Sequence, residues 1–518
     1  MGDKPFPVSD LLLQFDPSSE LPMYLQLYEQ LRAAIVNDCR IPRSAKLPST
    51  RALSESLRVS RNTVIAAFEQ LLAEGYLEGR IGSGTYVARA LPEACLGARP
   101  QASAPGYGRP PARVSERGRH MRRLMPSTNI AHVVPAPTKP KAFRLHTPSF
   151  ESFPYDVWRK ISHRTWDLIR PEMLGYGCPA GWQPLREAVA HYLRAARAVR
   201  CDWQQVIITN GAKQAMHLVA QTMTDPGDPV FIENPSYSGI RIAFTLSGAR
   251  MLPVPVDGEG LEIATAEQMC PDGRLVYVTP SHQYPLGTTM SLNRRLALLD
   301  WARRRDGFVI EDDYDSEFRY RGRPLASLQG LDRENRVLYI GTFSKVLMPS
   351  LRLGYMVVPP DLVDTFIAAR AHYDWSSPVI EQATLAEFMT QGHFARLIRR
   401  NRALYAERQE ILVEAGRRHL RGLLELPAKE CGLHLLGWLP TGVDDLACAS
   451  VLFENGIEAL ALSQFASAPA NPGGLLLGYA PFDRRSIETG VEKMAAVLER
   501  AIAAPAGAPR LERGSRRF

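Results

Sequence analysis

The fifteen residues Gly341–Tyr355, GTFSKVLMPSLRLGY, set Lys345 beside two small hydroxyl residues, Thr342 and Ser344, with Arg352 seven positions on. They follow a short apolar run, Val337 to Ile340, that reads as a strand. An amine next to hydroxyls and a guanidinium is an amine next to an anion site. That combination suits a Schiff base between Lys345 and pyridoxal phosphate, the lysine taking the aldehyde and its neighbours the phosphate. A surface lysine beside a turn is the plainer alternative, so the other parts of such a site must be found elsewhere in the chain.

Three further places carry suitable chemistry. Asn210-Gly211-Ala212-Lys213 follows an apolar run and opens a helical stretch, where backbone amides can cradle a phosphate and Gly211 permits close approach. Glu233-Asn234-Pro235-Ser236-Tyr237 presents a ring that can stack on a flat heterocycle, or simply pack. Glu311-Asp312-Asp313-Tyr314-Asp315 is an acid-dense strand end. A carboxylate there can pair with a protonated pyridine nitrogen, and a phenol can hydrogen-bond the ring oxygen. A metal site is the competing reading for four carboxylates in five residues, set aside because no histidine is near and the lysine stretch follows.

The elements that position these residues are apolar runs at 206–209, 230–232, 275–278, 308–310, 337–340 and 353–358, separated by helical stretches such as 214–222 and 292–305. Continuous apolar strands alternating with helices predict an α/β domain with a mainly parallel sheet covered on both faces, and ligands at the carboxyl ends of its strands. The motif residues lie just after the strands.

The first ninety residues read differently. Tyr24, Leu27, Leu31 and Ile35 predict a first helix from Pro22 to about Asn37. A second starts after Ser49 and a third after Ser60, each serine serving as N-cap, with Gly75 ending the third. Runs at 76–80 and 85–87 flank Gly82-Ser83-Gly84 as a hairpin. Three helices and a hairpin make a winged helix-turn-helix, whose third helix enters the major groove with Arg61, Asn62 and Thr63 at its start, while Arg51 suits backbone phosphates. The alternative is a small packed domain with its charges facing water.

At 518 residues the chain calls for two or more domains. A net charge of +8 is compatible with a polyanionic partner. Seven scattered cysteines (39, 95, 178, 201, 270, 431, 448) form no CxxC pair, which argues against structural zinc and against a disulfide framework, and fits a reduced, cytoplasmic setting. No apolar run reaches membrane-spanning length, and Asp3, Lys4 and Pro5 do not read as a signal peptide. Between 88 and 142, Pro, Gly, Ala and Arg dominate, which predicts a flexible linker whose arginines (Arg109, Arg113, Arg117, Arg119, Arg122, Arg123) either attract DNA weakly or are merely solvated. The expected organisation is therefore a DNA-binding domain at 17–87, the linker at 88–142, a cofactor-binding domain at 143–504 and a basic disordered tail at 505–518.

Two resemblances sharpen these expectations. Leu47 to Val87, LPSTRALSESLRVSRNTVIAAFEQLLAEGYLEGRIGSGTYV, resembles the winged helix-turn-helix of the GntR family, which implies operator contacts from Arg51, Arg61, Thr63 and Gly82. TNGAKQA, ENPSYSG, TPSHQYPLG, IEDDYDSEF and the Lys345 stretch resemble fold-type I aminotransferases, and the fused pair is similar to the MocR/GabR regulators. The resemblance implies that Lys345 is the Schiff-base lysine, Asp312 the partner of the pyridine nitrogen and Tyr314 that of the ring hydroxyl. It also implies that Tyr237 stacks on the ring and that Ala212, Lys213, Ser344 and Arg352 hold the phosphate. Tyr176, in YGCPAG, would reach the cofactor of a partner subunit in a homodimer. Two departures stand out: TPSHQYPLG replaces the aminotransferase pattern Asn-Pro-x-Asn-Pro-x-Gly, leaving His282 and Tyr284 without assigned roles, and the arginine that clamps an amino acid's carboxylate is missing from Leu475–Tyr479. The implied function is a regulator that binds operator DNA and senses pyridoxal phosphate, an amine or an amino acid. A working aminotransferase with a DNA-binding appendage, or a winged helix that docks protein, are the alternatives.

Overall fold

The computed structural model describes residues 5–11, 13–16, 19, 21–36, 40–80, 82–92, 113–127, 141–322 and 325–503. The chain divides into two compact units, 1–113 and 114–518.

In the first unit, α1 (Met23–Val36), α2 (Thr50–Leu57) and α3 (Arg61–Ala73) pack around Leu27, Leu31, Leu53, Val64, Phe68 and Leu71, all buried. The start of each reading helix is fixed by a serine: Ser49 Oγ accepts from Ala52 N at 3.2 Å, and Ser60 Oγ accepts from Thr63 N at 3.1 Å. Gly75, with φ at +82°, turns the chain out of α3 in a conformation that only glycine adopts freely. β1 (Leu77–Arg80) and β2 (Gly84–Val87) then pair antiparallel, Leu77 opposite Val87, to form the wing.

The second unit is built on an eight-stranded sheet. Its strands are β3 (Val206–Thr209), β4 (Pro229–Asn234), β5 (Arg250–Asp257), β6 (Gly260–Leu261), β7 (Leu275–Val278), β8 (Phe308–Asp313), β9 (Val337–Thr342) and β10 (Gly354–Val357), in the order β3-β10-β9-β8-β7-β4-β5-β6. The run β9-β8-β7-β4-β5 is parallel. Alternate residues enter opposite hydrophobic layers: Ile207, Leu338, Ile340 and Met356 on one face, Val206, Ile208, Tyr339, Tyr355 and Val357 on the other. Both faces are covered, so these strands read as unbroken apolar runs.

Two features depart from the sequence reading. β10, expected within a parallel sheet, runs antiparallel to both neighbours, so its first residue sits where β3 and β9 end: Gly354 faces Thr209 on one side and Thr342 on the other. β5 was not foreseen because Pro253 and Pro255 interrupt its pattern. From Arg250 to Pro255 it pairs only with β4, leaving one edge open, and an open edge tolerates residues without an N–H.

A second, three-stranded antiparallel sheet consists of β11 (His434–Trp438), β12 (Leu460–Ala461) and β13 (Gly474–Gly478), ordered β11-β13-β12. Its leucine-rich strands lack the β-branched signal that marks strands in sequence. Part of the stretch expected to be a flexible linker is a helix, Glu116–Ser127, started by Ser115, whose Oγ accepts from Gly118 N at 3.1 Å, and packed on the helix Ser238–Ser247. The rest of that stretch, 93–112 and 128–140, and the tail 505–518 lie outside the described residues.

Ser60 makes two contacts at the start of α3, to Thr63 N and to Thr63 Oγ1 at 2.8 Å. Ser60→Ala should cost about 1 kcal/mol of stability in the first unit, seen as earlier unfolding of that unit in a denaturant titration.

Candidate functional site

The first unit offers a polar surface at the start of α3. Arg61 and Asn62 are exposed beside the Ser60 cap, and Thr63 is half-buried because its hydroxyl is engaged by Ser60. Arg51, at the start of α2, has a side chain 80% exposed and held by Glu55 at 3.0 Å. Gly82 lies at the wing tip with φ at +73° and open space around it. The wing is stiffened by Tyr86, whose hydroxyl meets Ser83 Oγ at 2.6 Å and whose ring lies 4.3 Å under the Arg80 guanidinium. Cations, exposed amides at a helix start and a bare glycine turn are the groups a phosphate backbone meets.

In the second unit, strand ends converge on one cavity of about 220 Å³. Lys345, Asp312, Tyr314, Tyr237, Ala212, Lys213, Ser344 and Arg352 all line it, as do Thr342, Tyr284 and His146. Gly211, with φ at +85°, leads from β3 into the helix Ala212–Met223, and the Arg352 guanidinium lies 3.3 Å from where a Cβ on Gly211 would stand. Arg352 also donates to the Asn210 carbonyl at 2.8 Å. Lys213 is pushed below the usual lysine range, first by burial and then by Arg352. Two cations are thus gathered at a helix start, a geometry that invites an anion. Gly354 keeps this turn close to the sheet, since a Cβ there would come within 2.9 Å of the Gly211 backbone.

The opposite end holds a buried acid and a buried amine. Burial raises Asp312 to about 7, although Tyr277 stabilises its charged form by donating a hydrogen bond to Oδ2 at 2.7 Å. Its Oδ1 has no partner among the described residues. Burial lowers Lys345 to about 8 against the pull of Asp315 and Asp312, and its Nζ donates to the His146 carbonyl at 3.4 Å. Tyr237 starts the helix Ser238–Ser247, and its ring occupies the space a side chain at Gly239 would need, 2.2 Å from the hypothetical Cβ. Tyr314 reaches His282 Nδ1 at 2.9 Å, and the same nitrogen lies 3.0 Å from Asp315 Oδ2. One ring nitrogen of His282 thus ties Tyr314 to Asp315.

The acid-dense end of β8 resolves into separate tasks. Glu311 accepts from Leu328 N and Gln329 N, each at 2.8 Å, and Asp313 accepts from Arg197 at 2.8 Å and Tyr339 at 2.5 Å. Asp312, between them, points the other way and reaches the cavity, while Asp315 holds His282. The four carboxylates diverge.

Tyr176 is not brought to this cavity. It is 94% exposed and stands edge-on to Trp375, ring centroids 5.9 Å apart. The sequence reading missed Tyr277, His146 and the His282–Asp315 pair. Tyr277 carried a signal: a tyrosine in a buried aliphatic strand needs a hydrogen-bond partner. His146 carried none, being 199 residues from Lys345 in an irregular segment.

The chemistry of this cavity fits pyridoxal 5′-phosphate: an anion cradle at Gly211, an unpartnered buried carboxylate oxygen on Asp312 and a partly deprotonated amine between aromatic walls. Residues 150–482 match the family described as aminotransferase class I and II, and residues 23–87 match the gntR family of bacterial regulatory proteins. The chain is similar to the crystal structure of Pyrococcus horikoshii kynurenine aminotransferase in complex with PMP, with a TM-score of 0.66 and 27% identity over 76% of this chain and 96% of that one. It is 38% identical over 513 residues to the probable rhizopine catabolism regulatory protein MocR of Rhizobium meliloti, covering 96% of this chain and all of the relative. It is 29% identical to the pyridoxine biosynthesis transcriptional regulator PdxR of Corynebacterium glutamicum, over 93% of this chain and 97% of that one. Fold and sites together define a helix-turn-helix regulator joined to an aminotransferase-like domain. The chain belongs to the MocR family of such transcriptional regulators. Among the described residues, no helix is long and apolar enough to cross a membrane.

A buried carboxyl held above its unfolded value makes folding take up protons between the unfolded and folded pKa values, so stability falls as pH rises from about 4 to about 7. Asp312→Asn should therefore stabilise the cofactor-free protein at pH 8, by roughly 2–4 kcal/mol as an upper range, and leave it nearly unchanged at pH 4. Thermal unfolding at the two pH values checks this, and the same variant should lose cofactor affinity.

Proposed function

We propose that this protein is a cytoplasmic regulator whose winged helix binds operator DNA and whose second unit holds pyridoxal 5′-phosphate to sense a small molecule: the cofactor itself, an amine or an amino acid. Bound pyridoxal phosphate supplies an aldehyde that combines reversibly with amines and an electron-withdrawing ring. Lys345 takes the aldehyde. With its amine near 8, about a tenth is uncharged and nucleophilic at pH 7. Asp312 pairs its free Oδ1 with the ring nitrogen, Tyr314 donates to the ring hydroxyl while His282 and Asp315 fix its position, and Tyr237 stacks on the ring. Ala212, Lys213, Ser344 and Arg352 receive the phosphate. The protein works as a homodimer in which exposed Tyr176 reaches toward the partner subunit's cofactor. In the first unit Arg61, Thr63 and Gly82 meet the operator together with Arg51.

The observation that carries a sensing role over a catalytic one is Leu475–Tyr479. The expected carboxylate clamp is absent there, and Leu475, Leu476 and Leu477 are all fully buried in β13. Ligand occupancy would shift regulation only by binding the two DNA-binding states unequally. A working aminotransferase is the second reading, favoured by Lys345 being poised near 8 as a nucleophile. Turnover of amino donors with a keto acid at ordinary enzyme rates, about 1–1000 per second, would decide for it.

Two variants test the assignments. Lys345→Ala should abolish the visible absorbance of covalently held cofactor while leaving the protein folded; persistence of that absorbance would remove Lys345 from its role. Arg61→Ala should weaken operator binding by about 1–3 kcal/mol if Arg61 reads a base, or reduce the salt slope by about one unit if it meets a phosphate. Both outcomes leave the cofactor spectrum intact, and gel shifts at several salt concentrations distinguish them.

A further inference from the structure

We infer that the small molecule read by the second unit is a primary amine with an uncharged body and no α-carboxylate. This rests on the reading that the cavity holds pyridoxal phosphate, and it narrows the choice left open above. The cavity's cations have their places: Lys213 and Arg352 meet at the Gly211 turn, and Lys345 sits at the other end. The ring-bearing part of the wall is His146, Tyr237, Tyr284 and Tyr314, with Met216 and Pro349 beside them.

Behind that wall the chain is apolar. β13 alternates its leucines, so that Leu475 and Leu477 enter the main core while Leu476 turns the other way, into a cluster with Tyr284, Leu436 and Phe465 against which Tyr237 and Tyr314 pack. Leu476 is fully buried. Two of the charged or basic groups around this side already have acidic partners. Arg144 pairs with Glu458 at 3.0 Å, and His282 Nδ1 is held by Asp315. His434 lies 5.3 Å from His282 between ring centroids; burial above all, then the His282 charge, pulls it down to about 3, and its Nε2 faces the Pro285 carbonyl. It is therefore neutral.

A carboxylate arriving here would lose its water without gaining a cation, which makes it the costly half of an amino acid. An amine is what the cofactor's aldehyde selects. Aromatic, aliphatic or hydroxylated bodies suit the rest, since Tyr237 and Tyr284 present ring faces and hydroxyls.

The test uses full-length protein loaded with pyridoxal phosphate and pairs of compounds that differ only in the α-carboxylate: phenethylamine against phenylalanine, and ethanolamine against serine. Titrations follow the visible spectrum and, in parallel, affinity for an operator fragment. At least one amine should bind tenfold or more tightly than its amino acid, and neither amino acid should be the tighter of its pair. An amino acid that binds as tightly as its amine, or a loaded protein whose spectrum and operator affinity respond to neither amine, overturns the inference. A protein that takes up no pyridoxal phosphate overturns the underlying reading instead. Leu476→Arg, its folding checked by circular dichroism, should move the preference tenfold or more toward the amino acids. An unmoved preference in the folded variant counts against Leu476 as the determinant, and if the variant fails to fold, the pairs measured on the unaltered protein decide.

Discussion

The second unit depends on keeping charge out of water at the carboxyl ends of its sheet's strands. Burial drives Asp312 up to about 7 and Lys345 down to about 8, so an acid and a base that would be fully ionised in solvent are brought to within about a unit of each other. Desolvation is the largest cause of both shifts; Asp313 and Asp315 add to it at Asp312 while Tyr277 opposes it, and at Lys345 the carboxylates of Asp315 and Asp312 oppose it. Such an arrangement is costly in an empty protein, and a ligand carrying a basic ring nitrogen and an aldehyde would relieve it. Stability is given up locally for chemistry, as is common where polar groups face a binding cavity.

This end of the sheet is assembled by topology. β3, β4, β8 and β9 deliver their residues from carboxyl ends, as open α/β sheets do. β10 contributes for the opposite reason: because it runs backwards, its beginning lies beside the endings of β3 and β9, and Arg352, two residues before it, lands at the anion cradle. At Gly354 the backbones approach closely enough to exclude a side chain, since a Cβ there would stand 2.9 Å from the Gly211 backbone.

Much of this was legible in the sequence, because strand-end motifs sit where apolar periodicity stops. Lys345, Asp312, Tyr314, Tyr237 and the Gly211 turn each follow such a run, and the structure brings all of them to one cavity. The serine caps and the hairpin of the first unit were legible for the same local reason. What stayed hidden is what depends on pairing between distant residues. The reversal of β10 leaves no local trace, and β5 was disguised by prolines that only an open edge permits. His146 meets Lys345 across 199 residues of chain. Tyr176, which the resemblance assigns to a partner subunit's cofactor, is exposed on its own chain.

The strand β8 carries three consecutive carboxyl groups, of which Glu311 and Asp313 anchor the scaffold through Gln329 and Arg197 while Asp312 alone faces the cavity. Because strand side chains alternate, the identity of the functional acid is set by parity, not by proximity. Deleting one residue inside β8, ahead of Glu311, would leave the composition of the segment almost untouched. It would nevertheless hand an anchoring carboxyl to the cavity and force Asp312 against Arg197, so the frame of a single strand separates a structural ion pair from a cavity-facing carboxyl.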